Sequence, residues 1–239
     1  MINRISNQNN NKNPIQFEGL KENLRLGEKV SKEFKKEFPY IKSNTFIYTK
    51  LIQNKELIQN KEKTGFTDIA LNVIKIMAKY NNEVSKNRSS LDFIPRPQDN
   101  YSSFENYITT IKKLLHDKNY ANCKELVKII QFELFKKGQK PHNLYLQFYE
   151  DLPFSRRILD NKHHDFTVFG LKQGAKIENP ATWGDEAVIA DSWTNTVKPA
   201  KEAIEYFKHF FRADSKEYSM QFEDIDNVDI EKIFKDTFA

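Results

Sequence analysis

Residues 122–138 read NCKELVKIIQFELFKKG. Leu126, Val127, Ile129, Ile130, Phe132, Leu134 and Phe135 place apolar side chains nearly all round a helix, and a helix with that profile is buried rather than laid on a surface. Asn122 is a suitable N-cap with Glu125 three positions on, and Gly138 supplies a stop. Just upstream, Phe104, Tyr107, Ile108, Ile111, Leu114 and Leu115 form an apolar stripe on a second helix, which Ser102 and Glu105 would open as a capping box. Downstream the period changes. LYLQFYE (144–150), FTVFGL (166–171) and AVIADSW (187–193) are short β-rich runs separated by turn residues. An amphipathic helix follows, carrying Ala203, Tyr206, Phe207 and Phe210, and a last short helix is expected near residues 230–238. Helices, a buried helix and then successive strands predict an α+β domain in which the buried helix packs on a small antiparallel sheet.

Outward from this core, the front of the chain is helical and polar. Leu20, Leu24, Val30, Phe34 and Phe38 recur at mostly helical spacing until Pro39 interrupts. LIQNKELIQNKE (51–62) doubles a six-residue unit, too short for a solenoid and suited to a surface helix. Ile69, Val73, Ile76 and Tyr80 mark a further helix capped by Thr67 or Asp68. Two prolines and several turn formers make residues 85–100 the best linker. Residues 1–16, rich in Asn and almost free of acid, read as a disordered leader. The expected division is therefore a leader (1–16), a helical N-terminal region with linker (17–100) and an α+β domain with an acidic helical tail (101–239).

Composition narrows the function classes. A chain of 239 residues suits one domain with a helical annex, and its 7 glycines argue against phosphate-binding glycine loops. No apolar run approaches the 18 or so residues of a membrane span, and the leader has no apolar segment of a cleaved signal. The chain is thus expected in the cytoplasm or exported by a route that needs no cleaved signal. Residues 1–63 carry a charge of +6 and residues 213–239 a charge of −5. The lysines of the basic front alternate with glutamates, which dilutes any face for nucleic acid, so no nucleic-acid partner is expected. The expected partner is a protein substrate, with residues 17–87 available as an interaction module.

The single cysteine, Cys123, stands directly after the cap in the first turn of the buried helix. Unpaired amides and the positive end of the helix dipole there favour a thiolate over a thiol, and the same amides can hold a developing oxyanion. A nucleophile needs a base, and His164 opens the strand HDFTVFGL; its neighbour His163 is the alternative. The base needs an acceptor to orient it. Asp191 lies among Ala187, Val188, Ile189, Ala190 and Trp193, where a carboxylate is costly without a partner. Adjacent antiparallel strands would set His164 beside Asp191, completing nucleophile, base and orienter. His116, His142 and His209 read as structural. Cys123, His163 and His164 lack the paired spacing of a zinc site, and there is no GxSxG elbow, phosphate loop or dinucleotide fingerprint. No cofactor or metal is expected.

The arrangement NCKELVKIIQFEL, HDFTVFGL and WGDEAVIADSW resembles the papain-like and transglutaminase-like superfamily of Cys-His-Asp enzymes, in particular bacterial effector-type cysteine hydrolases. It covers roughly residues 101–195. The resemblance implies Cys123 as nucleophile, His164 as general base and Asp191 as orienting acid, with Trp183, Gly184 and Trp193 shaping the turn and shielding the pair. Lys124 stands where such families place Gly or Trp. Asn119 and Asn122 are the candidates for an oxyanion partner. The implied activity is thiol-dependent acyl transfer on protein amides, by proteolysis, deamidation or cross-linking. The rival reading is a non-catalytic α+β interaction domain.

Overall fold

The computed structural model describes residues 15–41, 97–119, 121–152, 155–211, 213, 218–226 and 228–238. Residues 1–14 of the leader, the doubled LIQNKE unit, the helix expected around residues 67–80 and most of the 85–100 linker lie outside the described residues, while residues 15 and 16, expected in the leader, belong to the first helix. Within them, helices α1 (Ile15–Glu37), α2 (Tyr101–Lys118) and α3 (Cys123–Phe135) precede strands β1 (His142–Leu152) and β2 (Ser155–Phe169). A single turn of 3-10 helix (Pro180–Thr182) leads into β3 (Val188–Asp191) and β4 (Thr196–Pro199). Helix α4 (Ala200–Phe210), strand β5 (Tyr218–Asp224) and helix α5 (Ile230–Phe238) complete the order.

The strands form one antiparallel sheet in the order β4-β3-β2-β1-β5. The α+β class and the antiparallel sheet are as the periodicities predict. Two strands were not foreseen. TVKP at 196–199 is too short to show a period, and β5 lies in the acidic stretch that reads as tail. Tertiary pairing, β4 with β3 and β5 with β1, makes strands of segments with little strand signal of their own.

Helix α3 is buried along most of its length, as its apolar circumference requires. It is capped at Asn122, whose backbone N–H donates to Glu125 Oε2 at 2.8 Å. At its other end Gly138 takes a left-handed φ of +77°, with its N–H donating to Phe135 O. Helix α2 starts two residues earlier than the Ser102 box suggests. Asn100 is the cap, accepting from Ser103 N at 2.9 Å, while Ser102 is exposed. The Asn side chain, already placed before the first helical residue, takes the orphan amide first.

The expected boundary at residue 101 does not separate α1 from the α+β unit. Val30, Phe34 and Phe38 are buried in the same apolar core as α3 and the sheet. Helix α1 packs on α3, β3 and β4. Gly27 meets Val197 and Phe169 so closely that an added Cβ would lie 2.8 Å from Val197 Cγ1. That close approach makes α1 a wall of the domain.

The two faces of β2 have different neighbours. Thr167 donates to Val127 O of α3 at 3.2 Å. Phe166 packs instead on Phe207 of α4, with ring centroids 5.3 Å apart. Side chains alternate across a strand, so His163, Asp165 and Thr167 share the α3 face while His164, Phe166 and Val168 share the other. A buried polar chain sets the position of α3 on the sheet. The single Thr167 hydroxyl hydrogen is shared between Val127 O and Asn143 Oδ1, Asn143 Nδ2 donates to Gln131 Oε1, and Gln131 Nε2 donates to Pro141 O and Asp226 Oδ1. Sliding the helix by a fraction of a turn would break these bonds, and that constraint fixes where Cys123 sits.

Candidate functional site

His164 is 0% exposed and Asp191 1%. Their partnership follows from register. β2 pairs with β3 through Val168 and Ile189, and His164, four residues before Val168, and Asp191, two after Ile189, both lie an even number of positions from that pair and so share its face. Nε2 of His164 lies 2.8 Å from Asp191 Oδ2. Asp191 is itself held by the turn that follows it. Trp193 N donates to Oδ1 at 2.9 Å, and Thr194 donates to Oδ2 through its backbone N–H and its hydroxyl. The DSWT turn thus fixes the carboxylate, and the carboxylate fixes the imidazole.

Aromatic rings enclose the pair. Trp193 lies 4.7 Å from the His164 ring centroid, Phe207 5.1 Å and Phe211 5.9 Å. An ionised carboxylate only accepts, so Nε2 carries a hydrogen in either charge state of the ring. Nδ1 is then the atom at which a proton comes and goes. It is buried without a hydrogen-bond partner among the described residues. Burial alone would lower the proton affinity of this imidazole. The Asp191 charge and hydrogen bond overcome it, and a contact with the Cys123 side chain and its charge add to the rise, so His164 stands at about 10.

Cys123 is half-buried at the first position of α3, as its place after the cap dictates. Its hydrogen-bond contact is with Asp165 on the α3 face of β2, Sγ to Oδ2 at 3.8 Å. The thiol therefore meets two strand neighbours of opposite orientation. β3 pairs with β2 only over residues 167–169, so residues 164–166 have no paired strand on that side among the described residues. At this gap the helix start borders both Asp165 on one face and His164 on the other. The amides of Cys123 and Lys124 open α3 with no preceding helical carbonyl to take them, whereas those of Glu125 and Leu126 donate to Asn122 O.

The remaining sequence candidates divide. His163 is exposed and lies against Tyr145, with ring centroids 5.7 Å apart, on the face opposite to His164. The alternation of β2 thus favours His164 as the partner of Asp191 and keeps Cys123, His163 and His164 from converging. Asn122 is buried in the cap of α3, while Asn119 is exposed and serves as the left-handed C-cap of α2, its N–H donating to Leu115 O. Lys124 is exposed. Trp193 covers the His164–Asp191 pair. Trp183 is buried against Phe222, 5.7 Å between centroids, and donates to Lys176 O, so it braces the turn before β3 and has no ring contact with the pair. Gly184 next to it takes φ +89°.

Two features escaped the sequence. Asp165 reads as a neighbour of the base, and only the pairing of α3 with β2 sets it beside the thiol. The second is a cluster at the other end of α3. His142 Nδ1 lies 3.3 Å from Asp224 Oδ2 and 3.8 Å from Asp226 Oδ2. One ligand atom from each of the three falls within 4.8 Å of the others, a geometry that could hold a divalent cation. Burial first, then the Asp224 charge, raise Asp226 to about 7 against the pull of His142 and of hydrogen bonds from Asn143 and Gln131. His142 is raised as well. Burial opposes this, and the Asp224 hydrogen bond and the two carboxylate charges outweigh it.

Compared with known proteins, the chain gives no match to a family model, to a curated protein or to a solved structure, so the reading of this site rests on its own geometry.

Proposed function

We propose that the chain is a thiol-dependent acyl-transfer enzyme acting on amides, with Cys123 as nucleophile, His164 as general base and acid, and Asp191 as the group that orients it. The observation that carries this reading is the completely buried His164, satisfied by Asp191 at Nε2 and left open at Nδ1, with Cys123 raising its proton affinity. A merely structural histidine in so dry a site is expected to have both nitrogens engaged. In the proposed cycle, the proton given up by the thiol resides on Nδ1 of His164, whose raised proton affinity retains it, and the thiolate attacks a carbonyl carbon. The amides of Cys123 and Lys124 receive the oxyanion, and a thioester forms as the amine leaves. Water or a second amine then resolves the thioester. The helix-on-sheet arrangement, with the thiol at a helix start and the base and acid on adjacent strands, also supports a papain-like or transglutaminase-like core.

A second reading draws on the Cys123–Asp165 contact. With the thiol engaged by the Asp165 carboxylate, Cys123 would be a packing and hydrogen-bonding residue, and the domain a non-catalytic interaction module. Acylation by p-nitrophenyl acetate separates the two. The enzyme reading expects an acetyl adduct confined to Cys123, formed about a hundredfold faster than in Asp191→Asn. Equal rates in the two proteins, or a rate no greater than that of a free small thiol, would leave the interaction module.

A further inference from the structure

We propose that His142, Asp224 and Asp226 bind a divalent cation of the zinc type, at a site separate from Cys123 that fastens the end of β5 to the start of β1. The inference stands apart from the acyl-transfer reading and needs no part of it.

Sheet register assembles the three residues. β1 and β5 pair through Leu144 and Asp224, and Ile225 N carries the ladder on by donating to Asn143 O at 2.9 Å. One step further, Asp226 stands opposite His142, and alternation keeps both aspartates on the side that Ile225 avoids. His142 Nδ1 lies 3.3 Å from Asp224 Oδ2 and 3.8 Å from Asp226 Oδ2. A charge-assisted N–H···O bond closes to about 2.7–2.9 Å. His164 and Asp191 reach that at 2.8 Å. The His142 contacts are longer and suit a shared centre. Zinc holds nitrogen and oxygen ligands at about 2.1 Å, which sets the corners of its tetrahedron about 3.4 Å apart. The two separations bracket that edge.

The bonding of Asp226 also calls for a cation. Its side chain is 8% exposed. Oδ1 accepts from Gln131 Nε2, and the one backbone hydrogen of Asn143 is divided between Oδ1 and Oδ2, at 3.3 Å each. A carboxylate has room for about four donors. Among the described residues no other donor comes within hydrogen-bond distance of Oδ2, so a buried oxygen keeps spare capacity 3.8 Å from His142 Nδ1. Gln131 and Asn143 meanwhile hold the carboxylate from behind, as the outer partners of a metal ligand do. Two carboxylates and a neutral imidazole are balanced by a divalent cation without any proton. The imidazole selects zinc over calcium and magnesium, which take oxygen ligands. Three protein ligands leave a fourth position for water. Access is open, because the Asp224 side chain is 38% exposed and His142 borders a cleft of about 670 Å³.

The test is equilibrium dialysis of the metal-stripped full chain against ZnCl2, with the melting temperature read alongside. Wild type is expected to hold one zinc ion per chain and to melt at a higher temperature in its presence. Asp224→Asn, a change on an exposed side chain, and His142→Gln are each expected to weaken zinc binding at least about tenfold and to abolish the rise in melting temperature. Cys123→Ser is expected to bind as wild type does, which separates this site from the thiol. CaCl2 and MgCl2 at the same concentration are expected to leave melting unchanged. Cooperative melting of the metal-free variants shows that they fold. No zinc held by wild type, binding undiminished in either ligand variant, binding lost in Cys123→Ser, or calcium or magnesium held as tightly as zinc would each overturn the site.

Discussion

The molecule contains two histidine–carboxylate groupings, and they differ in what surrounds them. His164 and Asp191 are sealed under Trp193, Phe207 and Phe211, with one ring nitrogen engaged and the other open towards a thiol. His142, Asp224 and Asp226 sit where β1 and β5 meet the end of α3, and every carboxylate there is tied into a wider net. Asp226 accepts from Gln131 and Asn143, and Asp224 accepts from Asp226 N at 2.8 Å. The same residue types thus yield two kinds of site. One pair is closed except at a single buried nitrogen, while the other is tied into a hydrogen-bond net that links it to α3 and β1.

The comparison can be broken most severely at Asp191. Asp191→Ala leaves a buried imidazole without its partner and undoes the DSWT turn. It is expected to cost about 3–5 kcal/mol in urea unfolding. A cost below 1 kcal/mol would show that the pair is not the closed unit described here.

Next is Cys123→Ser, which removes the thiol and retains the shape. Stability is expected to change by less than about 1 kcal/mol, as for a half-buried position. The proton affinity of His164, followed by NMR of the ring protons, is expected to fall, because the thiol side chain and its charge are among the causes that raise it. An unmoved titration would mean that Cys123 and His164 do not communicate.

The second grouping is tested by pH. Asp226 ionises near 3.8 in an unfolded chain and at about 7 in the fold. Between these values the folded state keeps a proton that the unfolded chain has released. Its contribution therefore favours folding at low pH and is lost as pH rises through that window. Asp226→Asn is expected to flatten the fall in the urea midpoint between pH 4 and 8, and an unchanged slope would refute the assignment.

His142→Gln has the smallest expected effect. With its folded value raised above the usual 6.5, His142 contributes stability fully below 6.5 and loses it as pH climbs through the folded value. The substitution is expected to cost about 1 kcal/mol at pH 5 and close to nothing at pH 9. A cost that grew with pH would reverse the sign argued here.

Much of this is legible in the sequence. The unbroken apolar circumference of α3 demanded burial, Asn122 and Glu125 marked its start, and the change to period two marked the strands. An aspartate among apolar neighbours asked for a partner, and His164 was the nearest strand residue able to supply one. The misses share a cause. β4 and β5 owe their form to the strand beside them. Asn100, two positions before Ser102, takes the cap. Val30, Phe34 and Phe38 carry a periodicity that says which face is apolar but not what covers it.

Local chemistry therefore settled which segments are helix or strand, which of them is central, and which side chains need company, because propensity, period and the cost of burying charge act over a few residues. Whether a cysteine, an imidazole and two carboxylates meet depends on sheet register and on where α3 docks. Those are set by contacts between residues far apart in the chain, such as Gln131 with Asp226, 95 positions on. Only the tertiary structure could set Asp165 against Cys123, because the same strand alternation that turns His164 towards Asp191 turns its neighbour the other way, towards the helix.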